Sequence, residues 1–345
     1  MTLQHNIDEW FLGYKTRAVK SRDSGVPIVR RSKKPATPLK RGCGLANLKA
    51  AAQKHPEVMV KIPKRLSQNS KGMRGVRNHL DYISRNGQVT VETQSGEKLH
   101  GNKAVKEFAN DWKNLNIPEE SKYREALNIV LSMPAGTPPD AVLNAARNFA
   151  AEQFKNHQYA FAMHHESERE GEPEHPHVHL CVLMRDEFGQ RMNPRKNDLF
   201  EWRVRFAEKL RDEGVECAAT RRQHRGQTIK SENGIVKSMR QRGKLGYVEK
   251  QQLEEILEAL KNSDRPKHPF LKEAMQTRGY IFEQYNLISK ELYKMGHKSE
   301  AKIISQLAKE MASQPLTTQA QKKYDNATAY SHDLAQNPDI ADIDR

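Results

Sequence analysis

The chain has 345 residues and a formal net charge of +15, with 58 Lys and Arg residues against 43 Asp and Glu residues. This length allows one large or two modest domains, and the excess of positive charge favours a polyanionic partner, most often nucleic acid. The three cysteines lie far apart without a CxxC pair, so neither a disulfide framework nor a cysteine zinc site is indicated. Neither a signal core nor a membrane-spanning apolar run is found, so we expect a cytoplasmic protein without membrane insertion.

The first segment, residues 1–56, is predicted to be a basic and partly disordered arm. Trp10 and Phe11 belong to a short apolar piece of about one helical turn. The residues that follow, up to Arg41, are rich in Lys, Arg, Ser and Pro, a composition typical of disorder. Such an arm either binds phosphate groups or is a solvated linker, and the sequence leaves both interpretations open.

An α+β domain is predicted for residues 57–247, with a largely antiparallel sheet and flanking helices. Alternation of period two predicts strands over 58–63, 126–133, 159–165 and 175–183, and a hairpin signal lies at 94–97. Apolar residues at helical spacing predict helices over 76–83, 105–115 and 199–210. Thr137 and the two prolines after it predict the start of a further helix that extends to about His157.

The composition changes again towards the end of the chain. Residues 219–247 are basic. From 248 to 313, apolar residues such as Leu253, Ile256 and Leu260 recur at helical spacing and predict a helical region. Residues 314–345 are polar and are predicted to be a mobile tail.

Three histidines alternate with other residues at the start of the strand over 175–183: His175, His177 and His179, with Glu174 beside them. Side chains two residues apart point to the same side of a strand, so His177 and His179 share one side. His175 joins them if the chain stays extended through Pro176. Because imidazole is the commonest metal-binding side chain, the stretch predicts a metal site. A histidine-rich edge strand without metal is the alternative.

A metal ion beside DNA would polarise a phosphodiester oxygen, and the reaction would then need a nucleophile. Water would give hydrolysis, whereas a tyrosine would give a covalent phosphotyrosyl intermediate. Tyr82 is the candidate, because it lies on a predicted helix in a basic segment that contains Arg74 and Arg77. The alternative is a core aromatic, since apolar residues share its helix.

Three blocks of the sequence resemble the motifs of conjugative relaxases, the mobilization nucleases of the HUH endonuclease superfamily, in the branch that includes plasmid mobilization proteins and the T-DNA border nickase. The first motif is matched by HLDYISRNG at 79–87, the second by LSMPAGT at 131–137 and the third by EHPHVH at 174–179. The resemblance covers about 58–247, and the basic segment that begins at Thr220 resembles the stretch that follows the catalytic core in this family.

The resemblance implies a site- and strand-specific DNA nickase with a central five-stranded antiparallel sheet. Tyr82 would attack the phosphate at a transfer origin and remain on the 5′ end, and Ser132 would touch DNA near the nick. The histidine strand would hold Mg2+ or Mn2+, although imidazole also accepts Zn, Ni or Co. The candidates to accept the proton of Tyr82 are Asp81, His165 and Glu166. The arginines expected to contact DNA are Arg74, Arg77, Arg85, Arg221, Arg222 and Arg225.

The resemblance also implies partners and a location. A relaxase acts on single-stranded origin DNA in the bacterial cytoplasm, with accessory relaxosome proteins and a type IV secretion coupling protein. It can leave the cell attached to the transferred DNA.

The sequence departs from the family pattern in its metal motif. Glu174 occupies a position where relatives often have Asp. The metal ligands are therefore either three histidines or Glu174 with His177 and His179.

The tyrosine also lies farther from the N-terminus than is usual, which leaves Tyr14 as a rival to Tyr82, although the neighbours of Tyr14 match nothing in the family. Two other classes remain as alternatives. A rolling-circle replication initiator has its tyrosine after the histidine pair, where this chain has Tyr247 and Tyr280. The second alternative class is a non-catalytic nucleic-acid-binding protein with a structural metal, although structural zinc sites usually include Cys ligands.

Overall fold

The structure is a computed structural model that describes residues 3–13, 38–63, 71–115, 117–165, 175–227 and 234–336. The chain forms two compact units, Met1–Thr220 and Arg221–Arg345. The first unit thus ends at Thr220, before the domain boundary predicted at 247. The segment after Thr220 packs with the C-terminal helices: the Tyr285 hydroxyl donates to the His224 carbonyl at 2.6 Å.

The first unit contains six helices and six strands among its described residues. The helices are α1 (Leu3–Leu12), α2 (Cys43–Ala52), α3 (Gly72–Ile83), α4 (Gly101–Lys113), α5 (Pro139–Gln153) and α6 (Lys196–Asp212). The strands are β1 (Met59–Lys61), β2 (Val91–Thr93), β3 (Lys98–Leu99), β4 (Ala126–Ser132), β5 (His157–His164) and β6 (His177–Asp186).

The strands form one antiparallel sheet in the order β1-β4-β6-β5-β2-β3. The predicted α+β class with a central antiparallel sheet is therefore confirmed. The sheet has six strands rather than five, because the two-residue strand β3 closes the predicted hairpin by pairing with β2. The long strand β6 lies between β4 and β5, so the side chains of β6 are at the centre of the sheet.

Helices cover both faces of the sheet, as its apolar pattern requires. On one face, Leu80 and Ile83 of α3 and Trp112 of α4 form a core with Ala162 and Cys181 of the sheet. Residues of β6 that alternate with Cys181 point to the other face, where α5 packs against β6 and α6 packs against α5. The face under α3 is the one that carries the histidines of β6.

The N-terminal segment is more ordered than the prediction of an arm suggests. Helix α1 is a full helix whose apolar face, including Trp10 and Phe11, is buried. The carboxylate of Asp8 accepts the amide hydrogens of Gly42 and Gly44, at 2.7 Å each, and so ties α1 to the start of α2. Residues 14–37, which include most of the basic stretch up to Arg41, lie outside the described residues.

The second unit is helical in the part that the structure describes, and the predicted helical C-terminal region is confirmed. It contains a short 3₁₀ helix (Arg222–Arg225), α7 (Gly234–Gln241), α8 (Tyr247–Lys261), α9 (Leu271–Lys294), α10 (Lys298–Ser313) and α11 (Gln319–Gln336). Helix α11 occupies residues for which a mobile tail is predicted. It is held because Gln321 and Tyr324 are buried and Asp325 forms an ion pair with Arg265 at 2.6 Å.

None of the helices in the described ranges combines the length and the apolar character that crossing a lipid bilayer requires.

Candidate active site

The register of the sheet places two histidines side by side on the face under α3. His164, the last residue of β5, is directly opposite His177, the first residue of β6. His179 is two residues further along β6 and therefore points to the same face. Ser132, at the end of β4, is opposite His177 from the other side.

His164, His177 and His179 form a group that could hold a metal ion, and we call it the histidine trio. Each imidazole offers one nitrogen, and these nitrogens all lie within 4.8 Å of one another. His164 and His179 are buried and His177 is half-buried. Among the described residues, this is the group of His, Cys, Asp and Glu side chains that meets the geometry of a metal site.

Hydrogen bonds to backbone carbonyls orient two rings of the trio. Nε2 of His164 lies 2.8 Å from the carbonyl oxygen of Ile83, and Nδ1 of His177 lies 2.9 Å from the carbonyl oxygen of His175. Because a carbonyl only accepts, these nitrogens carry the protons. In the neutral rings the lone pairs are then on Nδ1 of His164 and Nε2 of His177. Such outer hydrogen bonds are typical of metal-binding histidines, so the residues present fit a divalent metal ion.

Tyr82 lies on the last turn of α3 beside this group. Its ring centroid is 5.3 Å from that of His179, in an edge-on arrangement, and 6.5 Å from that of His164. The Tyr82 side chain is 58% exposed, although its neighbours Leu80 and Ile83 are fully buried. The alternative of a core aromatic is therefore wrong: Tyr82 is on the solvent side of an otherwise buried helix end.

A tight loop ends α3 and fixes the direction of its last turn. Ser84 follows the helix, and its hydroxyl donates to the Asp81 carbonyl at 3.2 Å and accepts from the amide of Gly87 at 3.2 Å. Arg85, Asn86 and Gly87 all have positive φ, at 49°, 55° and 88°. Gly87 also contacts the start of α4 so closely that an added Cβ would lie 2.1 Å from the amide nitrogen of Asn102.

We expect Gly87→Ala to lower the free energy of unfolding by about 2–4 kcal/mol, because strain at positive φ adds to the overlap with the α4 backbone. Gly96→Ala is the matched control, since Gly96 has φ 84° and no atom within 4 Å of the added Cβ. In the control, the free energy of unfolding should fall by only about 1 kcal/mol, because the strain at positive φ is the only cost. Urea denaturation of the two variants checks this, and equal losses would contradict the role of the contact with α4.

The predicted ligand His175 is adjacent to the trio but is not part of it. Its ring centroid is 5.3 Å from that of His177, and the residue lies before β6 begins, where the chain bends instead of staying extended. Burial lowers the pKa of His175, with smaller contributions from His177 and Lys61. Glu174, the other predicted ligand, lies outside the described residues.

The contribution of His164 was missed, because it depends on the register between β5 and β6. The sequence signal was the pair His164-His165 at the end of one strand, shortly before the histidines of the next strand. In an antiparallel hairpin these two strand ends are neighbours. Counting back from His177 across the turn would have suggested one of the pair as a ligand.

The other predicted catalytic residues are distributed as follows. Ser132 is buried on β4, directly opposite His177 of β6, which is in turn opposite His164 of β5. Asp81 is half-buried next to Tyr82 on α3, and His165 is exposed just after β5. Glu166 lies outside the described residues.

The predicted DNA-binding arginines fall into two sets. Arg74 and Arg77 are on α3, where they form ion pairs with Glu120 at 3.0 Å and with Glu119 at 2.5 Å. Arg85 is half-buried in the loop after α3. The second set belongs to the second unit: Arg222 and Arg225 are the first and last residues of the 3₁₀ helix, and Arg221 precedes it.

The comparison with protein families agrees with this geometry. Residues 82–215 match the family described as the nuclease domain of MobA/VirD2-like relaxases. The match begins at Tyr82 and includes the whole trio. The match supports a relaxase of the HUH endonuclease superfamily, and residues 82–215 are similar to a nuclease domain of the MobA/VirD2-like type.

Individual relatives are T-DNA border endonucleases named VirD2. The chain is 27% identical over 186 residues to the one from Agrobacterium fabrum, a match that covers 46% of this chain and 39% of that protein. It is 27% identical over 184 residues to the one from Rhizobium rhizogenes, with 46% and 39% covered. It is 28% identical over 179 residues to the one from Rhizobium radiobacter, with 46% and 40% covered. The match thus spans about two fifths of the length of these relatives.

Proposed function

We propose that the protein is a site- and strand-specific DNA nickase in which Tyr82 attacks a phosphodiester beside the histidine trio. One observation carries the proposal: an exposed tyrosine ring contacts two of three clustered imidazoles at 5.3 and 6.5 Å. A structural metal site needs no exposed hydroxyl beside it, whereas covalent catalysis needs a nucleophile within reach of the activated phosphate.

His164, His177 and His179 would hold the metal ion, with Mg2+ or Mn2+ as the ions we expect in the cell. A divalent ion bound there supplies charge stabilisation to the phosphodiester in the transition state. The carbonyls of Ile83 and His175 keep two rings in the tautomer that ligation needs. We propose this ligand set in preference to the two that the sequence left open, which are three histidines including His175, or Glu174 with His177 and His179.

The reaction that we propose is a transesterification. The Tyr82 oxygen forms a bond to phosphorus, the bond from phosphorus to the 3′ oxygen breaks, and the 5′ end of the strand remains on Tyr82. The phenol proton passes to a base and the leaving 3′ oxygen gains a proton, so a 3′ hydroxyl is released. Asp81, His165 and Glu166 stay the candidates for the base.

The chain order favours a relaxase over a replication initiator. Tyr247 and Tyr280, two exposed tyrosines that follow the histidine strand in the chain, belong to the second unit. Tyr14, the other rival, lies outside the described residues. Tyr82 precedes the histidine strand, which is the order that the family resemblance implies.

The setting that we propose follows from the family. Single-stranded DNA at a transfer origin would be the substrate, and the nick would begin the mobilization of a plasmid or an integrative element. The relatives are named for cutting T-DNA borders. Accessory relaxosome proteins, a type IV secretion coupling protein and export of the protein with its DNA belong to the same proposal.

The test is the capture of a covalent product from a pool of random single-stranded oligonucleotides. The full chain is incubated with the pool and Mn2+, denatured, and separated from free DNA, and the linked strands are sequenced. We expect a protein-linked fraction whose strands share one sequence at the 5′ end. Cleaved strands with free 5′ phosphates and no linked protein would instead indicate water as the nucleophile.

A further inference from the structure

The second unit contains a basic cleft that includes neither Tyr82 nor the histidine trio, although Arg221 and Arg222 in its lining are among the arginines expected to contact DNA. The cleft has a volume of about 500 Å³, and we call it the arginine cleft. Its lining includes Arg221, Arg222, Gln223, His268, Phe270 and Arg278. We propose that the arginine cleft binds a short segment of single-stranded DNA, with its phosphates on the arginines and one base on Phe270. The identity of the nucleic acid rests on the proposed function.

The charge of the cleft favours a polyanion. Arg221, Arg222 and Arg278 contribute three guanidinium groups, and Glu273 contributes one carboxylate. Arg222 is exposed, so its guanidinium is available to phosphate in the bidentate geometry that arginine favours. The volume is within the range of about 300–1,000 Å³ typical of small-ligand sites, which is enough for about one or two nucleotides.

Hydrogen bonds within the second unit fix the wall of the cleft. Arg278 donates to the carbonyl of Gln314 and, at 3.5 Å, to that of Gly226. The Tyr285 hydroxyl donates to the carbonyl of His224 at 2.6 Å, which ties the 3₁₀ helix to α9. A preformed wall lowers the entropic cost of binding. Arg278 is therefore a positioning residue, while Arg222 is the one directed to the ligand.

Phe270 is the feature that distinguishes single-stranded DNA from a simple anion. The residue immediately precedes α9, and its ring is 65% exposed at the cleft. Nδ1 of His268 accepts the amide hydrogen of Phe270 at 3.0 Å, so the proton of the neutral ring is on Nε2, where it can be donated to phosphate or base. Exposed aromatic rings beside basic groups bind unpaired bases by stacking. A duplex hides its base faces, so this arrangement favours a single strand.

The experiment measures the affinity of the full chain for a fluorescent oligothymidylate by anisotropy, in EDTA so that no strand is cut. Phe270→Leu removes the ring but keeps an apolar side chain, and it should weaken binding about fivefold or more. Arg222→Ala should weaken binding and reduce the slope of log Kd against log salt by about 0.7, as expected for one phosphate contact. Glu273→Gln removes the opposing charge and should tighten binding about two- to fivefold.

Two variants serve as matched controls. Phe188→Leu makes the same change at a ring that is 69% exposed in the first unit, and Lys309→Ala removes one exposed positive charge of the second unit outside the cleft. Both should bind oligothymidylate as the wild type does. Wild-type affinity in Phe270→Leu and Arg222→Ala would overturn the proposal. So would an equal effect of Phe270→Leu on duplex and single-stranded DNA, because stacking would then not be involved.

The outcome is independent of the nicking reaction. If the cleft variants lose affinity while the wild type forms no covalent product, the nicking proposal fails and the cleft remains a DNA site. If the wild type nicks and the cleft variants bind normally, the cleft proposal fails and the nicking proposal remains.

Discussion

Tyr82→Phe is expected to abolish nicking while the protein still folds, binds single-stranded DNA and binds metal. The substitution removes only the attacking oxygen, and loss of a nucleophile costs at least about 10³-fold in rate. The ring keeps its contacts with His179 and His164, so the free energy of unfolding should change by no more than about 0.5 kcal/mol. Covalent capture on the sequence selected from the random pool measures the activity.

Tyr123→Phe is the matched control for this prediction. Tyr123 is an exposed tyrosine of the same unit, with an exposed fraction of 64% compared with 58% for Tyr82. Its loss of a hydroxyl should leave nicking unchanged. Peptide mapping of the wild-type adduct gives the second check: DNA linked to Tyr14, Tyr247 or Tyr280 would show that Tyr82 is not the nucleophile.

The second large effect is expected from the histidine that the sequence did not single out. His164→Ala removes one imidazole of the trio. Loss of an outer partner of a metal ligand costs about 10–100-fold in affinity, so loss of a proposed ligand itself should lower metal affinity by more than that. His175→Ala should have little effect, because His177 donates to the His175 backbone carbonyl, which alanine retains. Calorimetric titration with Mn2+ distinguishes the two variants, and nicking should follow the metal affinity.

The opposite ranking would return His175 to the ligand set. A large loss in His175→Ala together with wild-type affinity in His164→Ala would contradict the trio. Far-ultraviolet circular dichroism is needed for both variants, since His164 is buried and its hydrogen bond to Ile83 is lost as well.

The pH dependence has a defined sign. Only neutral imidazole binds metal, so metal affinity should be highest at neutral or higher pH and should fall as acid protonates the histidines. Loss of the ligands by protonation therefore weakens metal binding on the acid side.

The parts of the site that follow from local periodicity could be predicted from the sequence. His177 and His179 lie on one face because strand side chains alternate, and the helical spacing around Tyr82 places it on α3. His164 could not be found in this way, because its position opposite His177 depends on the register between two strands. Register is a tertiary property, set by the pairing of whole strands rather than by the residues beside His164.

Composition was a poorer guide than periodicity at the two ends of the chain. Polar residues around Gln321 suggested a mobile tail, yet burial of Gln321 and Tyr324 holds α11 in place. Near the N-terminus, a short apolar piece became a full helix because Asp8 connects it to α2. In both segments a few long-range contacts decided the structure, and average polarity does not report such contacts.

The hydrogen bond between His164 and the Ile83 carbonyl would couple the proposed metal site to the proposed nucleophile. The backbone carbonyl of Ile83, the residue after Tyr82, accepts a hydrogen bond from His164, so a shift of the end of α3 would change both the reach of the proposed nucleophile and the donor strength of that imidazole. If a DNA strand draws this helix end into position, it raises the affinity for the ion, and linkage requires the ion to raise the affinity for DNA by the same factor. The two ligands of the site would thus be positive heterotropic effectors of one another, through a single backbone oxygen.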